Sequence, residues 1–197
     1  LARADAATAA ILGAGMQARL QLVALAQVRP IRAARIWARR PEAAEAAASE
    51  LSRDLGLEVR AFRDPAEAVR GADVIVTTTP AHEPILRADW LEPGQHVTAM
   101  GSDQAHKSEL EPACLARADR YVADRAAQTR LIGELRSVAF TDGILAIAFD
   151  ALQPNERGRV IFLDEDGDPA ADAVSVGVDP DSIAVTPDGQ KLVVTNT

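Results

Sequence analysis

A single cysteine, Cys114, leaves the chain unable to form an internal disulfide and gives no sign of a zinc site. No apolar run approaches the ~20 residues that a membrane-spanning helix needs. The N-terminus lacks the basic-then-apolar pattern of a secretory signal, so a cytoplasmic location is expected. Neither half of the chain carries a basic patch, which argues against a nucleic-acid partner. What is present is a globular composition, 48% hydrophobic and 25% charged, in 197 residues that allow one domain with an appendage.

The net charge of -8 is unevenly placed. Residues 1–136 carry 18 Lys and Arg against 18 Asp and Glu, whereas residues 137–197 carry 3 against 11. Such asymmetry points to two segments of different character.

The patterning changes at the same place. In the first segment short apolar runs alternate with alanine-rich helical stretches, the βαβ rhythm of a parallel sheet. Strands are expected at Ala9–Leu12, Arg35–Ala38, Glu58–Phe62, Ala72–Thr79, His96–Met100 and Tyr121–Ala123. The first helix runs to about Val28 with Leu20, Val23 and Ala24 on one face. Pro41 suits the first turn of the second helix and Gly56 its end. Asp64-Pro65 opens a short helix that Gly71 closes. Another helix starts near Pro112, and Arg125–Leu135 forms a last, amphipathic one. The second segment reads as antiparallel β: Gly143–Phe149, Arg159–Leu163, Ala173–Val176, Ser182–Val185 and Lys191–Thr195, with hairpin signals at Asp166-Gly167-Asp168 and Pro187-Asp188-Gly189. Asp164, Asp166 and Asp168 are turn residues rather than a calcium loop, because Gly167 falls too early for that pattern.

Between the first strand and its helix lies Gly13-Ala14-Gly15-Met16-Gln17-Ala18. In a Gly-x-Gly-x-x-Ala turn the first glycine permits the sharp bend. The second lets backbone approach a pyrophosphate, and the small third residue lets helix and strand pack closely. The helix N-terminus then offers its N–H groups to the phosphates. An ordinary βα turn is the plain alternative, but the strand before, the helix after and the further βα units favour dinucleotide binding. The fold class is therefore α/β: a Rossmann-type doubly wound parallel sheet over residues 1–136, with a short all-β appendage over 137–197.

The second strand bears on the choice of cofactor. An NAD site places an acid at that strand's end to hold the ribose 2′-OH. Here Ile36-Trp37-Ala38-Arg39-Arg40 has none, and arginines bind a 2′-phosphate well. NAD(P) is expected, with NADP favoured over two merely solvated arginines. In a doubly wound sheet the ligand lies beyond the carboxyl ends of the strands at the switch point. That rule adds Thr78, Thr79 and Pro80 after the fourth strand, with Met100, Gly101, Ser102 and Asp103 after the fifth. Thr77 is better read as strand propensity. His82, His96 and His106 have no pairing pattern, and none is chosen as a proton carrier.

The glycine loop, Val74-Ile75-Val76-Thr77-Thr78-Thr79-Pro80, Gly101-Ser102-Asp103 followed by Lys107 and Glu109, and Gln128 with Gly133-Glu134 occur in order at family-like spacing. Over roughly residues 5–136 the chain resembles the ornithine cyclodeaminase/mu-crystallin family. Leu91-Glu92-Pro93-Gly94-Gln95-His96-Val97-Thr98-Ala99-Met100-Gly101-Ser102-Asp103 is similar to its ectoine-utilisation branch. The resemblance implies an oxidoreductase acting at an amino-acid Cα, with hydride exchanged with the nicotinamide and an imine cyclised, hydrolysed or reduced. Asp103 matches the family's catalytic aspartate, a carboxylate that moves a proton beside the cofactor. Relatives are expected to be homodimers acting on small amino-acid-derived substrates.

The N-terminal and returning C-terminal segments that build the family's substrate domain are not visible. The chain is therefore expected to bind cofactor yet turn over poorly alone, since orientation is worth ~7–11 kcal/mol of barrier. The alternatives are a non-catalytic NADP(H)-binding protein of the mu-crystallin type and an interaction module defined by the tail. Val174–Asn196 resembles a blade of a surface-layer-type β-propeller, with Gly158–Asp168 similar to the preceding part.

Overall fold

The computed structural model describes residues 2–104, 107–120, 122, 137–141, 144–149, 157–164, 169–177, 180–185 and 192–196. Strands β1 (Thr8–Leu12), β2 (Ala33–Trp37), β3 (Glu58–Phe62), β4 (Val74–Thr77) and β5 (His96–Ala99) form one sheet in the order β3-β2-β1-β4-β5. Every pairing is parallel. The chain leaves β1 toward β2 and β3, then crosses back to place β4 on the other side of β1. A crevice results at the carboxyl ends of β1 and β4, the place where doubly wound sheets hold ligands.

Helices α1 (Met16–Val28) and α2 (Pro41–Leu55) cover one face. Ala18, Leu22, Ala44, Ala47, Ala48 and Leu51 bury against Ala9, Ile11, Ala34, Ile36, Val74 and Val76. So many alanines let the helices lie close to the sheet. Pro41 opens α2, where its missing N–H costs nothing, and Gly56 ends it in the left-handed conformation, φ 66°. On the opposite face Ala10, Leu12, Val69, Ile75, Leu86, Leu110 and Cys114 form a second core. It is roofed by two short helices, α3 (Pro65–Val69), which the Asp64 carboxylate caps at the Ala66 N–H (2.9 Å), and α4 (Pro112–Ala116).

The expected apolar face of α1 points the wrong way. Leu20 is 52% exposed and Val23 37%, while Ala18 and Leu22 face the sheet. Both sides of this helix are apolar, so periodicity alone does not choose between them. The expected Tyr121–Ala123 strand, apart from Val122, and the Arg125–Leu135 helix lie outside the described residues, as do His106, Gln128, Gly133, Glu134 and both hairpin signals.

The tail is antiparallel, as its patterning requires. Strands β6 (Ser137–Thr141), β7 (Ile144–Phe149), β8 (Arg159–Leu163) and β9 (Pro169–Ser175) run as a meander, and β10 (Pro180–Val185) pairs with β11 (Leu192–Asn196). Strand β6 was not expected from the sequence. Ala146, Ala148 and Val160 form a small core with Phe162, Val176, Leu192 and Val194.

Candidate functional site

The glycine loop closes the carboxyl end of β1. Gly13 has φ +135°, and a Cβ there would run into the Thr78 hydroxyl, so only glycine fits. The Gly13 N–H donates to the Trp37 carbonyl (2.8 Å), and the Thr78 N–H to the Leu12 carbonyl (2.9 Å), tying the ends of β1, β2 and β4 together. Gly15 is different. Among the described residues a Cβ on it would meet nothing within 4 Å, so the space above it is open there. Gly15 is also the N-cap of α1, and among the described residues no side chain caps that helix. Open room over a glycine at an uncapped helix N-terminus is what a pyrophosphate requires. Ala14 is partly exposed at the loop, and Met16 and Gln17 are exposed at its rim.

Sequence reasoning missed Arg19, one turn into α1. Its guanidinium donates to the Ala14 (2.5 Å) and Gly15 (3.3 Å) carbonyls and pairs with Glu50 of α2 (2.9 Å). Hydrogen bonding to Arg19 and its charge hold the Glu50 carboxyl below the usual range. The loop's carbonyls are thus drawn toward Arg19, which fixes the backbone around Gly15.

At the end of β2, Ala38 is half-buried and Arg39 and Arg40 are exposed. Among the described residues neither guanidinium forms an ion pair. The first acid downstream is Glu42, inside the first turn of α2.

The ends of β4 and β5 complete the crevice. Thr77 is fully buried, and among the described residues its hydroxyl has no hydrogen-bond partner. The Thr78 hydroxyl reaches the Leu12 carbonyl (3.5 Å). The Thr79 hydroxyl donates to Glu109 (2.7 Å) and accepts from the Ala81 N–H (3.3 Å), so it is committed within the protein. Pro80 follows at the rim, and Met100 is 40% exposed. Gly101 lies against Glu109, and Ser102 is nearly buried. Asp103 is exposed and paired with the largely covered Lys107. His82 is exposed. His96 bonds Thr98 (3.2 Å), and burial, with the charge of Arg29, holds its imidazole below the ordinary value.

The structure therefore brings the glycine loop, Thr78, Thr79, Met100, Gly101, Ser102 and Asp103 to one edge of the sheet, with Ala38, Arg39 and Arg40 at the neighbouring strand end. It offers backbone donors and an open floor at one end, cations beside it, and one exposed carboxylate. Among the described residues no three His, Cys, Asp or Glu side chains gather to hold a metal, and no helix is long and apolar enough to cross a membrane.

The sequence model of the ornithine cyclodeaminase/mu-crystallin family matches residues 1–164, past the expected junction near residue 136. The uncharacterized cyclodeaminase y4tK of Sinorhizobium fredii is 57% identical over 161 residues, covering 82% of this chain and 47% of that protein. An archaeal alanine dehydrogenase dimer with bound NAD superposes with a TM-score of 0.64 at 36% identity, covering 68% of this chain and 41% of the other. The iminosuccinate reductase of Paracoccus denitrificans in complex with NAD+ gives 0.63 at 34%, over 68% and 41%. The chain spans less than half the length of each of these proteins.

Proposed function

The chain belongs to the ornithine cyclodeaminase/mu-crystallin family, and from that premise we propose that it is the NAD(P)-binding part of an oxidoreductase acting at the Cα of a small amino acid or its imine. The observation that carries this reading is the open space over Gly15 at the uncapped start of α1. Gly13, Ala14, Gly15, Met16 and Gln17 hold the pyrophosphate, with Arg19 keeping the loop carbonyls turned away from it. Ala38 leaves room at the ribose, and Arg39 and Arg40 face a 2′-phosphate, so NADP is preferred. Thr78, Thr79, Pro80, Met100, Gly101 and Ser102 line the nicotinamide end. When bound, the nicotinamide supplies hydride exchange with the substrate carbon. Asp103 moves a proton at the substrate nitrogen, and Lys107 holds its carboxylate in one orientation.

Relatives named for a cyclodeaminase and an iminosuccinate reductase support amino-acid and imine substrates. A dimeric relative supports a homodimeric whole protein. Because the chain spans less than half of these relatives, a second reading is binding without turnover, as in a mu-crystallin-type protein. The antiparallel meander β6–β9 supports a tail of separate, blade-like character. Similarity over Leu91–Asp103 supports the ectoine-utilisation branch, and a cytoplasmic setting accords with nicotinamide chemistry. The test is titration of NADH and NADPH fluorescence on the purified chain. Saturable binding of either supports the cofactor reading, and its absence for both would overturn it.

A further inference from the structure

The hydrogen-bond ladder between β4 and β5 stops where Met100 N–H donates to the Thr77 carbonyl (3.0 Å). Beyond that point, among the described residues, the N–H groups of Thr79 and Gly101 pair with no strand. One side chain serves both. Glu109 is fully buried, with one carboxylate oxygen accepting from the Thr79 N–H and hydroxyl (2.7 Å for the hydroxyl) and the other from the Gly101 N–H (2.7 Å). A Cβ at Gly101 would clash with all three carboxylate atoms of Glu109, so the glycine there admits this side chain. Buried carboxylates persist only when such donors surround them.

The same residue fixes the loop that carries Asp103. Its carbonyl accepts from the Ile85 (2.8 Å) and Leu86 (3.0 Å) N–H groups, and Ser108 N–H donates to Ala81 (2.9 Å). Gly101 and Glu109 thus meet at one carboxylate, and between them in sequence Asp103 pairs with Lys107. We infer that Glu109 is a positioning residue: without touching the cofactor, it sets Asp103 and the Thr79 edge at their separation around the nicotinamide. This rests on the cofactor reading above. A glutamine keeps the shape but has one acceptor oxygen, and its NH2 must face an N–H donor. One arm of the clamp is lost.

The test compares NADH with ADP-ribose, which shares every part except the nicotinamide, in the parent and in Glu109→Gln. Amide hydrogen exchange provides a second readout. We expect ADP-ribose affinity to hold within about twofold while NADH affinity falls about tenfold or more, the scale of one charge-assisted bond. Exchange should accelerate at Thr79 and Gly101 and stay slow at Val74–Thr77. Gly101→Ala, which displaces the same carboxylate from the other side, should reproduce the pattern. Equal loss of both ligands, including loss through unfolding, would reduce Glu109 to a structural role and overturn the inference. No change in either would overturn it as well. A parent that binds neither ligand would instead overturn the cofactor reading itself, and this inference with it.

Discussion

At the scale of single residues, two glycines two positions apart do different work. Gly13 is required by its own backbone and by the Thr78 hydroxyl, whereas Gly15 is required only by what enters the open space above it. Gly15→Val should therefore fold like the parent, as seen by circular dichroism, yet lose nicotinamide-cofactor binding by at least about a hundredfold, ~2.7 kcal/mol. Gly13→Ala should be destabilised whether or not cofactor is added. Unchanged affinity in Gly15→Val would remove the pyrophosphate from this loop. Arg39 gives the second residue-scale prediction. Its guanidinium is exposed and has no ion pair among the described residues, so a 2′-phosphate would gain a charge-assisted bond of about 1.5–3 kcal/mol, roughly ten- to a hundredfold in affinity. Arg39→Ala should shrink the NADPH preference by that factor, with NADH affinity little changed. Equal dissociation constants for both cofactors in the parent would make these arginines surface charge.

At the scale of elements, β1 and β4 are held together at both ends, by the glycine loop at one and by Asp73 at the other. The Asp73 carboxylate accepts from the Ala7 (2.8 Å) and Thr8 (2.9 Å) N–H groups and pairs with Arg3 (2.5 Å). The bond from Ala7 leads in holding its pKa below the ordinary 3.8, ahead of that from Thr8 and the charge of Arg3 and against the effect of burial. A depressed carboxylate contributes stability that is present above its unfolded pKa and lost as pH falls through the folded one. Asp73→Asn should thus cost about 1.5–3 kcal/mol at neutral pH by urea unfolding, and its deficit against the parent should narrow as pH drops below 3.8. A deficit independent of pH would show that the charge is immaterial. Much at this scale was legible beforehand. The first five strand runs, Pro41, Gly56 and the Asp64 cap all behave as their local chemistry dictates, because each depends on neighbours within a turn. The orientation of α1 was not legible, because Met16, Leu20 and Val23 offer an apolar stripe as good as the one that packs.

At the scale of the whole molecule, the charge break and the change from βαβ to antiparallel patterning coincide near residue 136, and the cores of the two segments share no residue among those described. We expect limited proteolysis to cut between Arg136 and Arg159 and to leave an N-terminal fragment that still binds cofactor, since few contacts cross a junction of this kind. The family match through residue 164 makes the experiment a sharp one. If trimming the tail unfolds residues 1–136, the two segments are one folding unit.

The sequence by itself determined the parallel sheet, the glycine loop and the strand ends that meet at the crevice, because apolar runs, turn glycines and helix caps act over a few adjacent residues. Only the tertiary structure decided which buried groups hold that crevice in shape. Glu109 meets Thr79 across 30 residues, and Arg19 meets Glu50 across 31. Neither pairing leaves a local pattern, since a charged side chain reveals its partner only when folding brings distant donors and acceptors within a hydrogen bond's reach.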